Sequence, residues 1–93
     1  MRSKTVSDIW LAIEPTPQAA AEMRARSTLM IALRDHIERR RWTQAAAAKR
    51  LGVSQPRISN LMRGKITLFS LGTLVSMASA AGLVIEVKVR KAA

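Results

Sequence analysis

Residues 43–64 read TQAAAAKRLGVSQPRISNLMRG, a stretch with two candidate helix starts and two candidate helix ends. Thr43 and Ser54 carry hydroxyl side chains that can cap helices beginning at the residue that follows each of them. Gly52 and Gly64 stand where a helix can end in the left-handed conformation, which glycine adopts at little cost. The stretch therefore predicts two short helices joined by a tight turn at Gly52.

The two predicted helices divide into a buried and an outward side. Apolar residues fall where two crossed helices would share a seam, namely Ala48, Leu51, Val53, Ile58 and Leu61. The outward side carries Gln44, Gln55, Arg57, Ser59, Asn60 and Arg63. Gln and Asn can pair with adenine, and Arg with guanine or phosphate, from a helix that fits the major groove. This favours a DNA-binding helix-turn-helix over its alternatives, a hairpin that binds nothing and an RNA-binding module.

The stretch resembles the Cro and phage-repressor (XRE) family of DNA-binding domains. The elements that carry the resemblance are Gln44, then Gly52-Val53-Ser54, then Ile58, Leu61 and Gly64. The resemblance implies that Gln44 binds a backbone phosphate and braces the recognition helix. It also implies that Gln55 reads a base edge and that Asn60 reaches further along the same groove.

The recognition helix departs from the family pattern at Pro56. Proline is tolerated in a first helical turn but offers a base only an apolar contact. Arg57 can reach a base or a phosphate, so we rank it below Gln55 and Asn60. The predicted base-reading set is Gln55, Asn60, Arg57, Pro56 and Ser59. The predicted phosphate-binding set is Gln44, Ser54, Arg63 and Lys65.

The composition agrees with a polyanionic partner. The 93 residues include 16 Lys and Arg against 6 Asp and Glu, for a net charge of +10. Residues 1–22 hold two basic and three acidic groups, whereas residues 23–93 hold 14 basic and three acidic groups. Such a chain will seek polyanions, and the surplus lies in the DNA-binding part.

Other functional classes find little support in the sequence. The chain has no cysteine, so neither a disulfide nor a thiolate metal site is expected. No apolar run reaches the roughly 18 residues that a membrane span needs. We identify no nucleophile–base pair, phosphate loop or carboxylate pair, and His36 has no metal-ligand partner. We therefore expect a protein that is not an enzyme and has no cofactor. The resemblance to XRE-type DNA-binding domains implies that it is bacterial, cytoplasmic and nucleoid-associated.

The chain is expected to form a mostly α-helical, Cro/phage-repressor-like bundle of four to five helices. Residues 1–17 form an N-terminal arm with a short helix. The arm is separated from the body because each proline at its end disfavours helix in the residue before it. Residues 18–82 form the helix-turn-helix bundle. It begins with a long helix from about Gln18 to Arg41. It closes with a helix over Leu71 to Ala81, capped by Ser70, in which Leu74, Val75 and Ala78 face inward.

Residues 83–93 are predicted to be a dimerisation strand and tail. The apolar residues alternate with a period of two, at Leu83, Ile85, Val87 and Val89. A lone strand needs a partner for its backbone groups, and the simplest is the same strand of a second copy. A two-fold ribbon would place two recognition helices about 34 Å apart on a palindromic operator. Pairing with the N-terminal arm, or with a strand of another protein, remains the alternative.

The whole layout, over roughly residues 5–90, resembles the XRE-type, HigA-like antitoxins of type II toxin–antitoxin modules. The resemblance implies a homodimer that represses its own promoter and neutralises a RelE/HigB-type ribonuclease toxin. The expected toxin contact is Ile9, Trp10 and Ile13, with packing of Trp10 on its own domain as the alternative. A net charge of +10 would repel a basic toxin at long range. A stand-alone XRE-family regulator without a toxin is the second hypothesis.

Overall fold

The computed structural model describes residues 16–92, a part of the chain that contains four α-helices. They are α1 (Pro17–Arg39), α2 (Gln44–Leu51), α3 (Gln55–Met62) and α4 (Leu71–Ala80). A single 3₁₀ turn, Ile66–Leu68, lies between α3 and α4. The predicted helical bundle is confirmed, whereas the predicted helix of the N-terminal arm lies outside the described residues.

All four helices begin at a hydroxyl side chain. The capping residues are Thr16, Thr43, Ser54 and Ser70. Each side-chain oxygen accepts a hydrogen bond from the backbone N–H three residues further on, at 3.1 to 3.2 Å. These bonds satisfy one of the N–H groups that a helix leaves unpaired in its first turn. The boundaries predicted at Thr43, Ser54 and Ser70 are confirmed.

Each of the four helices is also followed, within two residues of its end, by a residue in the left-handed conformation. The four residues are Arg41, Gly52, Gly64 and Gly82, with φ between 54° and 84°. After α3 the N–H of Lys65 donates to the Asn60 carbonyl at 3.1 Å, and that of Gly64 donates to the Leu61 carbonyl at 3.0 Å. This pair of bonds is a Schellman motif, which stops the helix and turns the chain sharply.

The core lies where α1 packs on α4 and α2 packs on α3. Its buried side chains are Met30, Leu33, Ile37, Ala47, Ala48, Leu51, Ile58, Leu61, Phe69, Leu74, Met77 and Ala78. The seam predicted between α2 and α3 is thus confirmed, with Val53 half-buried at its edge. The prediction that Val75 faces inward is wrong, because Val75 is 38% exposed. Leu74, Met77 and Ala78 form the inward stripe of α4, and Val75 lies one helical step to its side.

Residues 83–92 form no strand in the single chain, so the predicted strand and its pairing across a dimer are not shown. Leu83 and Ile85 pack half-buried against the core. Val84, Val87 and Val89 are at least 83% exposed. A strand needs a neighbour for its ladder of hydrogen bonds, and no other segment within residues 16–92 offers one.

An apolar groove runs beside this C-terminal segment. It has a volume of about 550 Å³ and lies between α1, α4 and residues 83–88. Ala32 of α1 and Val75 of α4 line its walls, and Val84 and Val87 line its edge.

Within residues 16–92 no helix has the length and hydropathy needed to cross a bilayer.

Candidate DNA-binding site

The hairpin of α2 and α3 is the frame of the candidate site. Three residues, Gly52 to Ser54, connect the two helices. The N–H groups of Gly52 and Val53 both donate to the carbonyl of Ala48, which closes α2 before the chain turns. Turns of three to four residues containing glycine are typical of helix-turn-helix units. The turn allows α3 to cross α2 with its apolar side inward.

The inward side of α3 fixes which of its residues remain accessible. Ile58 and Leu61 are fully buried. The exposed predicted site residues are Gln44, Ser54, Gln55, Pro56, Arg63 and Lys65. The half-buried ones are Arg57, Ser59 and Asn60. The hairpin thus presents amide and cationic groups from both turns of α3 and from the first residue of α2.

Arg57 has partners within the protein that the sequence did not indicate. Its Nη1 donates a hydrogen bond to the carbonyl oxygen of Leu68 at 3.2 Å. Its guanidinium carbon lies 5.1 Å from the centroid of the Phe69 ring, within the range of a cation–π contact. Arg57 therefore links the first turn of α3 to the segment that precedes α4.

A second arginine, Arg34 of α1, lies beside the C-terminal end of α3. It is not in the predicted set of site residues. A Cβ atom added to Gly64 would lie 3.4 Å from Nη1 of Arg34, which extends from α1. Arg34 is half-buried, and its Nε is buried with no hydrogen-bond partner among residues 16–92. Arg34 thus adds a guanidinium beside the loop that carries Arg63 and Lys65. In the sequence, position 34 stands out only as the neighbour of buried Leu33. Its place beside this loop is therefore evident only from the three-dimensional packing.

Trp42 packs beside the hairpin immediately before the cap of α2. Its ring meets the ring of His36 edge to face, with centroids 5.3 Å apart. The guanidinium carbon of Arg50 lies 4.7 Å from the Trp42 ring centroid. Trp42 is half-buried against the core. This arrangement is that of a packing residue, because the indole contacts His36 and Arg50 of the protein itself.

Charge is distributed unevenly over the bundle. Residues 43–70 contain five basic groups and no acidic group. On α1, Asp35 pairs with Arg39 at 3.2 Å, and Glu22 lies 3.6 Å from Arg26. The unit formed by α2, α3 and the following linker is therefore uniformly positive and suits a polyanion. Among residues 16–92 no group of three His, Asp or Glu side chains could hold a metal ion.

Comparisons with known proteins agree with this geometry. Residues 12–90 match the family described as "Helix-turn-helix domain". A solved structure described as "Putative XRE Family Transcriptional Regulator" is 38% identical to this chain, with a TM-score of 0.72. The alignment covers 78% of this chain and 82% of that one. The search of curated proteins returned no match.

The fold, the hairpin and these matches define a DNA-binding transcriptional regulator of the helix-turn-helix class. The chain belongs to the XRE-type helix-turn-helix family.

Proposed function

We propose that this protein is a sequence-specific repressor that binds a palindromic operator in double-stranded DNA as a homodimer, acting in the cytoplasm at the nucleoid. The observation that carries the proposal is the outward side of the α2–α3 hairpin. It presents polar and cationic groups on a unit of residues 43–70 that contains no acidic residue. Base edges are read by such groups, and phosphates are bound by cations and helix N-termini.

We assign the base-reading role to α3 and the phosphate-binding role to its surroundings. Gln55, Pro56, Ser59 and Asn60 lie on the two turns of α3, at the positions proposed to read bases together with Arg57. Gln44 and Ser54 stand at the starts of α2 and α3, where unpaired N–H groups and the helix dipole favour phosphate. Arg63 and Lys65 are exposed on either side of Gly64 and suit the phosphates beyond the recognition helix.

The dimer is proposed to form through Leu83, Ile85, Val87 and Val89. Beyond Leu83, the backbone of residues 84–92 makes no backbone hydrogen bond to another residue of the described range. Val84, Val87 and Val89 are at least 83% exposed. An antiparallel pairing of two such segments would satisfy the backbone groups and cover part of this apolar surface. The same pairing would give two half-sites one helical turn apart.

The DNA proposal is tested by selecting duplexes from a random library with the purified full chain. We expect an enriched inverted repeat whose half-site centres lie about 10 base pairs apart. Affinity for the selected site and for a scrambled duplex is then measured between about 50 and 200 mM salt, a range over which rising salt steeply weakens binding that depends on phosphate contacts. Equal affinity for both duplexes at every salt concentration would contradict sequence-specific binding.

We further propose that the operator belongs to a toxin–antitoxin operon and that this protein neutralises a RelE/HigB-type toxin. The support is the resemblance in layout to HigA-like antitoxins. The proposed toxin contact, Ile9, Trp10 and Ile13, lies outside the described residues. The alternative is a stand-alone XRE-family regulator, which the uniformly positive hairpin would serve equally well.

Co-expression with the adjacent reading frame separates these two functions. If the antitoxin function is correct, a second protein co-purifies with the full chain, and the complex shifts the upstream promoter. Trp10→Ala should then release the second protein without weakening the binding of the full chain to the operator. Promoter binding with no co-purifying protein would support the stand-alone regulator and overturn the antitoxin proposal.

A further inference from the structure

The linker between α3 and α4 is held by guanidinium groups from two different helices. Arg57 of α3 donates to the carbonyl oxygen of Leu68 at 3.2 Å. Arg26 of α1 donates through Nη1 to the next carbonyl, that of Phe69, at 3.4 Å. Hydrogen bonds from charged donors are stronger than neutral ones. The two guanidinium groups therefore hold the linker between α1 and α3 through two successive carbonyls.

Phe69 makes this linker a rigid reference point for α3. It is 1% exposed and is among the largest fully buried side chains. It directly precedes Ser70, the cap of α4, and Leu74 lies at the fourth position of that helix, which is the arrangement of a hydrophobic staple. The ring over which Arg57 lies is consequently anchored in the core.

In the first turn of α3, Arg57 adds a polar contact to the apolar packing of Ile58. Gln55 and Pro56 are exposed. The first buried residue of the helix is Ile58, and the helix is only eight residues long. The backbone N–H of Arg57 bonds to Ser54, which belongs to the same turn and moves with it. The side chain of Arg57 thus ties this turn to Leu68 and Phe69 by polar and cation–π contacts, in addition to the burial of Ile58.

We propose that Arg57 is a positioning residue, which sets the orientation of the base-reading turn of α3 through Leu68 and Phe69 instead of reading a base itself. The proposal rests on the proposed operator binding and assigns Arg57 a different part in it. Recognition requires side chains to be held to roughly 0.5 Å and 10–20°. A guanidinium bound to one carbonyl and stacked on one buried ring supplies such a constraint on Gln55.

The test uses Arg57→Lys, which keeps the positive charge but removes the planar fork and its stacking. A bidentate base contact is worth roughly 5- to 150-fold in discrimination. We expect Arg57→Lys to lower affinity for the selected operator about 10-fold, while affinity for scrambled DNA and the salt slope stay unchanged. Arg57→Lys should lose discrimination at the same base position of the operator at which Gln55→Ala relaxes the preference.

Arg50→Lys is the matched control, because Arg50 also stacks on an aromatic ring but lies on α2, 4.7 Å from Trp42. It should leave the ratio of operator to scrambled affinity unchanged.

Arg57→Met, which keeps the aliphatic stem, serves as a second variant, and thermal unfolding verifies that each variant is folded. In a double-mutant cycle, Arg57→Lys and Gln55→Ala should be non-additive, because one acts through the other.

Two results would overturn the positioning role. Relaxed discrimination at a base position different from that of Gln55, with additive effects, would make Arg57 a base reader. Equal weakening on operator and scrambled DNA, with a salt slope lower by about one in Arg57→Met, would make it a phosphate contact. Failure of the unaltered protein to prefer any duplex would instead refute the proposed function and is distinguishable from both.

Discussion

Arg41, after the end of α1, adopts the same left-handed conformation as Gly64 after the end of α3, with φ of 54° and 72° respectively. The hydrogen bonds match as well, since Trp42 N–H donates to the Ile37 carbonyl as Lys65 N–H donates to that of Asn60. Both helix ends are therefore Schellman motifs, but only one has the residue that favours this conformation. In Arg41 the Cβ atom crowds the backbone, at a cost of roughly 1 kcal/mol.

Arg41→Gly should consequently stabilise the protein. Relief of the backbone crowding outweighs the larger conformational entropy of glycine in the unfolded chain, and we expect a gain of about 0.5–1 kcal/mol in the free energy of unfolding. Chemical denaturation measures this gain. Arg40→Gly is the matched control, because Arg40 has φ of −79° and an ordinary helical conformation, so glycine there should be neutral or destabilising. A loss of stability in Arg41→Gly would contradict this account.

Ser54 combines the cap of α3 with a proposed phosphate contact, and three substitutions separate the two roles. Ser54→Ala should cost about 1 kcal/mol of folding stability, because the N–H of Arg57 loses its acceptor. Ser54→Asn and Ser54→Asp should both keep the cap and the stability. Only Asp should weaken DNA binding strongly, since its charge repels phosphate. Thermal unfolding and shift assays on the same three proteins measure both effects. Equal DNA affinity of the Asn and Asp variants would place Ser54 away from phosphate.

The helix boundaries could be predicted from the sequence because caps and stops obey local rules. Thr43, Ser54 and Ser70 bond to N–H groups only three residues away, and Gly52 and Gly64 act within the turn that they end. The buried seam between α2 and α3 likewise follows from the helical period. These features require no knowledge of distant parts of the chain.

The features that the sequence did not indicate depend on contacts between distant residues. The bond from Arg57 to Leu68 spans 11 positions, and that from Arg26 to Phe69 spans 43. The deep burial of Phe69 also requires α1 and α4 to be in place. Val75 was misplaced for the same reason, since only the packing of α4 on α1 decides which of two adjacent apolar residues faces inward.

Gln55 and Asn60 should carry sequence discrimination if the base-reading assignment is correct. Gln55→Ala and Asn60→Ala should each weaken operator binding by about 1–3 kcal/mol and relax the preference at one base position. Binding to scrambled DNA should be nearly unaffected, because phosphate contacts dominate there. Competition assays against single-base operator variants measure both quantities. An equal loss on scrambled DNA would exclude these two residues as base readers.

Arg63 and Lys65 should instead contribute affinity without discrimination. Removing either side chain should weaken binding to all duplexes by similar factors and lower the slope of log K against log salt by about one. Arg24→Ala is a suitable control, because Arg24 is an exposed cation on α1 and outside the proposed site. A slope identical to that of the unaltered protein would mean that Arg63 and Lys65 remain in solvent on the complex.

The proposed dimer predicts a specific effect of charge at Val87. This side chain is 83% exposed in the single chain, so Val87→Glu should leave the folded monomer intact. In a two-fold ribbon formed by residues 83–89, the substitution would place buried charges close to the dimer axis, where they lack partners. We expect monomers in sedimentation equilibrium, and weak, half-site binding to DNA.

Val84→Glu, which alters an equally exposed valine on the opposite side of the proposed strand, should remain dimeric. A shortened chain ending at Ile85, which keeps the half-buried Leu83 and Ile85, should also be monomeric. Dimers of that shortened chain would place the interface elsewhere in the bundle, whereas a monomeric unaltered protein would favour pairing within the same chain.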